Sequence, residues 1–304
     1  MLEAVAQLGA AIRKPTPIPN TASDLDTSNN QSDPHCHKRL GFVHIPKTGG
    51  TTVVEAMHVD HCLTRDLNST VLWLPGLFHQ SAHMQRERSA ADWDSAYTFS
   101  IVRNPFDWVV SQFFYNLAMC KAGHKWVVKP ACRYVDLVVR DGSMASYVYR
   151  ESHREYFTAW LKGHDEIAST TDQQFMYPNR ISQNISTNTS QLAWLIDPDG
   201  RRIVRHVVRL EDKRDYDRHA TCEGLRAIIC DRPAPPTGGA AKRVKASGHA
   251  HSSAYYTPSG CEIVRRRFAV DFEAFGYDSS TYTCMYPFGQ NETTNQLTGV
   301  TGRR

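Results

Sequence analysis

The stretch that decides the reading of this chain is Leu40–Glu55, LGFVHIPKTGGTTVVE. Leu40–Ile45 is a compact apolar run of buried-strand length, and Thr51–His58 continues it as a helix. Between the two lie a proline, a lysine, two glycines and the first of three threonines, Thr48, Thr51 and Thr52. A strand that turns through lysine and glycine into a helix start has the ingredients of an anion site. Gly49 and Gly50 let the backbone approach an anion closely. The N–H groups of Gly50, Thr51 and Thr52 open a helix whose dipole favours negative charge. Lys47 adds a point charge, and the hydroxyls of Thr48, Thr51 and Thr52 add donors.

The commonest phosphate loop, G-x-x-x-x-G-K-[ST], is a near miss. Gly41 to Thr48 keeps both ends of that pattern but has Pro46 where the second glycine belongs. Proline has no N–H to donate and fixes its own φ, so the loop is not the same cradle. Nucleotide kinases and NTPases also place an acid at the end of a neighbouring apolar strand to help hold Mg²⁺. Here the next strand, Tyr97–Arg103 (YTFSIVR), ends in arginine. That exchange argues for a second anionic group held without metal.

Asn104-Pro105 breaks that strand, and an amphipathic helix follows from Phe106 to Met119. Strand, turn and helix twice over predict parallel strands with helical crossovers, an α/β sheet covered on both faces. Arg103 falls at the carboxyl end of its strand, where open α/β sheets bind ligands. Ser111 follows about two turns into the helix, so a guanidinium fork and a hydroxyl can share one crevice. The plainer alternative is an Arg103–Asp107 structural salt bridge.

The two segments together resemble a known family. FVHIPKTGGTT is similar to the 5′-phosphosulfate-binding loop of the carbohydrate sulfotransferases, and FSIVRNPFDWVVSQFFY to their 3′-phosphate-binding segment. The likeness is to the group containing the heparan sulfate 2-O- and 6-O-sulfotransferases. It extends more weakly over VVRLEDKRDYD and the closing YYTPSGCEIVRRRFAVDFEAFGYD, covering about residues 40 to 278, with the middle from Cys120 to Gln191 poorly matched. The resemblance implies a single sulfotransferase domain on a P-loop-like parallel sheet. It also implies the donor 3′-phosphoadenosine 5′-phosphosulfate (PAPS) and transfer of its sulfuryl group to a hydroxyl. Lys47, Thr48, Gly49, Gly50, Thr51 and Thr52 would bind the 5′-phosphosulfate, and Arg103 and Ser111 the 3′-phosphate. Trp108 stands where many members carry arginine, a difference expected in one surface contact. Lys245-Ala-Ser-Gly-His249 stands where relatives often have Asn-x-Ser; across that departure, only Ser247 is carried over as a further nucleotide contact.

Sulfuryl transfer asks a protein mainly for alignment and charge neutralisation. Lys47 is the residue expected to stabilise the departing 5′-phosphate. The acceptor hydroxyl must also lose a proton. Gly76–Glu87 (GLFHQSAHMQRE) offers His79 and His83 at i, i+4, and in related enzymes a histidine near this place is the proposed base. His79 fits the family segment best and His83 is the reserve; with fourteen histidines in the chain, surface or structural roles compete. The pair also suggests zinc, but no third ligand follows at matching spacing, so no metal is expected. Arg180, Arg201, Arg202, Arg205, Lys242, Arg243 and Lys245 are residues for an acidic glycan groove or, equally, for a solvated basic surface.

Across all 304 residues, 41% are apolar and the formal net charge is only +4. That suits an anionic ligand and gives no reason to expect nucleic acid. Eight cysteines without a CxxC pair point to disulfides, with Cys120–Cys132 and Cys222–Cys230 favoured by short spacing. Five N-x-[ST] sequons, at Asn30, Asn68, Asn184, Asn188 and Asn291, add to the case for the lumen of the secretory pathway, the Golgi in particular. No signal peptide or apolar run of about 18 residues is visible, so membrane association would need an N-terminal anchor this chain lacks.

Residues 1–38 read as a disordered lead or stalk, 39–278 as the domain and 279–304 as a loose tail. Further helices are expected at Ser146–Leu161, Asp212–Ile229 and from a Thr257 cap with Pro258 at the first position through Phe275. Asp197-Pro198-Asp199-Gly200 signals a hairpin, though a parallel strand ending at Leu210 fits too. The rival functions are a P-loop-like kinase of a small molecule or sugar, and a non-catalytic glycan- or nucleotide-binding module.

Overall fold

The computed structural model describes residues 40–58, 80–121, 151–170, 190–229 and 251–280. Three short strands form one parallel sheet: β1 (Leu40–Val43), β2 (Tyr97–Val102) and β3 (His206–Arg209), in the order β1-β2-β3. Phe42 lies beside Phe99, and Phe99 beside His206. A parallel sheet needs both faces covered, and strand alternation provides for this. Leu40, Phe42, Phe99, Ile101 and Val208 enter one core; Val43, Val102 and Val207 enter the other.

The first core is closed by helix α1 (Gly50–His58), through Val53 and Met57, and by Tyr216, Ala220 and Leu225. The second and larger core holds the aromatic face of α4 (Pro105–Lys121), which presents Phe106, Trp108, Phe113, Phe114 and Leu117. Against it pack α5 (Glu151–Thr170), α8 (Pro258–Arg267) and α9 (Ala269–Phe275). Phe113 meets Phe157 edge-on at 5.4 Å, and Trp108 meets Phe268 at 5.5 Å, the geometry aromatic quadrupoles favour. Between β1 and β2 run α2 (Ala82–Arg88) and α3 (Ala90–Ser95). Gln85 of α2 donates to the Phe42 carbonyl at 3.3 Å and so covers part of the edge of β1.

The α/β parallel sheet with helices on both faces is the expected one, and the strand–turn–helix units start within a residue of where the pattern puts them. Two expectations need correction. Asp212–Ile229 is two helices, α6 (Lys213–His219) and α7 (Cys222–Ile229). Thr221 makes the break: its hydroxyl donates to the Asp217 carbonyl and accepts from the Gly224 N–H. Gly224 keeps the corner tight, since a Cβ there would fall 2.0 Å from the Arg218 carbonyl oxygen. The closing helix likewise splits into α8 and α9 at Phe268, which turns inward onto Trp108. Thr257 caps α8 as expected, accepting from the Gly260 N–H at 3.1 Å. The Asp197–Gly200 turn closes one isolated antiparallel bridge, Ile196 to Arg202, and the run after it is the parallel strand β3, the alternative expected to end at Leu210.

Residues 1–38, most of the C-terminal tail, Cys132 and Cys230 lie outside the described residues, as do Ser146–Arg150 of the expected helix. None of the described cysteines, Cys120, Cys222 and Cys261, is a free thiol. Among the described residues no helix is long and apolar enough to cross a membrane.

Candidate functional site

The loops after all three strands meet at their carboxyl ends, the end of a parallel sheet where ligands bind. The loop after β1 is the most distinctive. Lys47 has φ of +67° and Gly49 of +87°, with Thr48 between them outside the left-handed region. Successive residues alternating between right- and left-handed backbone turn their N–H groups into one concavity, a cradle suited to an anion. Lys47 is the only described non-glycine residue with positive φ. Such strain costs about 1–3 kcal/mol and persists only where surroundings enforce it.

Those surroundings hold the loop by its carbonyls. Thr48 Oγ1 donates to the Ile45 carbonyl at 2.9 Å. Trp108 Nε1 donates to the Pro46 carbonyl at 2.7 Å, with Gln112 Nε2 more distant at 3.5 Å. Arg103 Nη1 reaches the Lys47 carbonyl at 3.4 Å, and Tyr216 Oη donates to the Gly49 carbonyl at 3.2 Å. Four carbonyls are thus gripped, by five different side chains. The N–H groups of Thr48, Gly49, Gly50 and Thr51, in contrast, close no well-aligned backbone hydrogen bond outside the helices among the described residues. The Thr52 N–H closes the first turn of α1 onto the Gly49 carbonyl at 3.2 Å.

Both glycines are sterically required. A Cβ on Gly49 would fall 2.9 Å from Leu210 Cδ1 in a backbone conformation side chains avoid. A Cβ on Gly50 would fall 2.3 Å from His44 Cδ2, because the imidazole lies directly over it. The Lys47 ammonium sits 4.7 Å from the centroid of the Tyr115 ring, a cation–π contact that keeps its charge over α4.

The second expected anion site adjoins the first. Arg103 follows β2, and its side chain reaches the loop through the Lys47 carbonyl. Its backbone is gripped on both sides: its N–H donates to Gln191 Oε1 at 2.9 Å, and its carbonyl accepts from Gln191 Nε2 at 2.8 Å. Gln191 is fully buried and stands on Asp271, whose carboxylate accepts the N–H groups of Gln191 and Leu192, each at 2.9 Å. Burial outweighs these donors and raises the Asp271 carboxyl to about 7. The next residue is fixed as well, with the Asn104 N–H on Glu211 Oε1 at 2.8 Å. Asn104 Oδ1 caps the start of α4 by accepting from the Phe106 N–H. Asp107 accepts a hydrogen bond from Ser252, and both it and Arg103 make further contacts.

The expected site residues therefore divide. Lys47, Gly49, Gly50, Thr51 and Arg103 lie in or beside one concavity at the sheet's carboxyl end. Ser111 is buried on α4, one residue before Gln112. Thr48 needs correction as a hydroxyl donor: it is fully buried and its hydroxyl hydrogen is spent on Ile45, so it offers its amide instead. The cradle's amides start at Thr48, not at Gly50 as expected, and the Thr52 N–H is used within α1. Trp108 is no surface contact but a buried tether of the loop. His83 is half-buried on α2 with Nε2 3.1 Å from Glu87 on its own helix. His79, Lys245 and Ser247 lie outside the described residues, as do Arg180, Lys242 and Arg243.

Of the basic residues proposed for an acceptor groove, Arg201 is paired with Asp197 and Asp199 in its own turn. Arg205 precedes β3 at the opposite end of the sheet from the cradle and donates to the Asp94 carbonyl. Among the described residues no three metal-ligating side chains converge. The residues missed from sequence are the supports, Trp108, Gln191, Tyr216 and Asp271. Only Trp108 carried a signal, as an indole in a place where arginine was expected. Comparison with family models, with curated proteins and with solved structures finds no match for this chain.

Proposed function

We propose that this chain is a sulfotransferase, moving a sulfuryl group from PAPS to a hydroxyl of a glycan, in a single domain on a P-loop-like sheet. The observation that carries this reading is the loop after β1. Its carbonyls are held by Thr48, Trp108, Arg103 and Tyr216, and its amides line a concavity beside Lys47. Arg103, adjacent but on a separate loop, supplies a second anion contact. Two contiguous anion sites fit a donor with a phosphosulfate at one end and a 3′-phosphate at the other.

The donor supplies an activated sulfuryl group whose leaving group is a phosphate. Amides of Thr48, Gly49 and Gly50 orient the phosphosulfate; Lys47 moves from Tyr115 to neutralise charge on the departing oxygen. Arg103 and Ser111 take the 3′-phosphate, with Ser247 as a further nucleotide contact. His79 remains the proposed base for the acceptor hydroxyl, with His83 in reserve. His83 would first have to leave Glu87. The even cysteine count and the five sequons are what favour a lumenal, Golgi location.

The test is sulfate transfer from labelled PAPS by the purified full chain across a glycan panel. Activity is expected in the wild type and lost in Lys47→Ala and His79→Ala. Magnesium-dependent turnover of ATP would instead make the protein a kinase. Donor binding without transfer to any glycan would make it a binding module.

A further inference from the structure

The mechanism above uses the Arg103 side chain but leaves unexplained why its backbone is held so completely. A strand-to-helix junction ordinarily needs one cap, which Asn104 already provides through the Phe106 N–H. Here Gln191 adds two opposed hydrogen bonds to a single residue, at 2.9 and 2.8 Å, from a side chain wholly removed from solvent. Gln191 is itself aimed by Asp271, which fixes the amides of residues 191 and 192 at once. An amide that both accepts and donates against one residue defines that residue's position and tilt together, which a single bond does not.

We propose that Gln191, seated on Asp271, is a positioning residue that sets the Arg103 guanidinium and so selects a donor carrying a second phosphate. It rests on the donor reading above and names what enforces its specificity. Because the Arg103 side chain also reaches the Lys47 carbonyl, the clasp fixes the spacing between the two anion sites. Asp271, carried on α9, thereby links the closing helix to the nucleotide end of the site. No group of the clasp touches the ligand; its effect passes through Arg103.

The test compares the affinities of adenosine 3′,5′-bisphosphate and adenosine 5′-phosphate for the full chain by calorimetry. The variants are Gln191→Met, close in volume but without either hydrogen bond, and Gln191→Glu, which keeps the acceptor for the Arg103 N–H and loses the donor. Gln191→Met is expected to lower the preference for the bisphosphate on the order of tenfold, while affinity for the 5′-phosphate stays within twofold. Gln191→Glu should show the same selective loss, so the proposal does not hang on one variant folding. In an Arg103→Met background, Gln191→Met should have no further effect on the ratio. A merely structural role would weaken both ligands alike and would add to Arg103→Met. A wild-type preference that survives in both Gln191 variants overturns the clasp and leaves the donor reading standing. A wild type with no preference for the bisphosphate overturns the donor reading and the clasp with it.

Discussion

Gly50→Ala is a substitution in which two opposing effects can be weighed from the coordinates. Gly50 opens α1 and does not have positive φ, so alanine is conformationally permitted there. Restricting the unfolded chain would by itself stabilise the protein by about 0.4–1 kcal/mol. Against this, the added Cβ would lie 2.3 Å from His44 Cδ2 and 2.6 Å from Nε2, where carbon atoms pack at about 3.5–4.0 Å. His44 cannot easily retreat: it is buried and stacked on Phe42 with ring centroids 5.6 Å apart. Displacing it by more than about 1 Å is an overpacking error of about 1–3 kcal/mol. The steric cost wins, and Gly50→Ala should destabilise the fold by about 1–2 kcal/mol. With His44→Ala in place the clash is gone and only the unfolded-state gain remains, so the same substitution should become stabilising. Urea unfolding of the two single variants, the double variant and the wild type measures this reversal. Additivity of the two changes within about 0.5 kcal/mol would refute the proposed contact between ring and loop.

Two further outcomes are expected. Trp108→Phe removes the donor to the buried Pro46 carbonyl, leaving only Gln112 at 3.5 Å; it should cost about 1–3 kcal/mol in urea unfolding and weaken bisphosphate binding. Unchanged stability and unchanged binding would show that the indole is not a tether. The Asp271 carboxyl is raised by burial from 3.8 to about 7, so its protonated form favours the folded state. Its contribution is complete below pH 3.8 and disappears as pH rises toward 7, a change of at most about 4 kcal/mol. Stability of the wild type should fall across that window relative to Asp271→Asn, and parallel pH profiles would contradict the assignment.

The sequence was informative wherever a single local pattern set the structure. Apolar runs ending at lysine or arginine marked β1 and β2, and Thr257-Pro258 marked the start of α8. It was less informative where a distant partner decides. Asp212–Ile229 carries continuous helical periodicity, and only the Thr221 hydroxyl and the Gly224 contact with Arg218 break it. The glycines and lysine marked the turn after β1, but the amide of Thr52, expected to face outward, closes the first turn of α1 instead. The left-handed turn at Lys47 depends on supports 56 to 167 residues away, and no local rule encodes it. Gln191 and Asp271 were invisible for the same reason. A glutamine and an aspartate in unremarkable surroundings become a clasp only when α9 packs beside the end of β2.

That dependence has a consequence during synthesis. The cradle-forming segment leaves the ribosome early, yet Tyr216, Gln191 and Asp271, which shape it directly or through Arg103, are made more than a hundred residues later. A chain cut short before them can form strand and helix around Lys47 and keeps the Thr48 and Trp108 tethers, but lacks the bond to the Gly49 carbonyl and the clasp on Arg103. The shape of the loop is therefore completed only once the closing helix has docked.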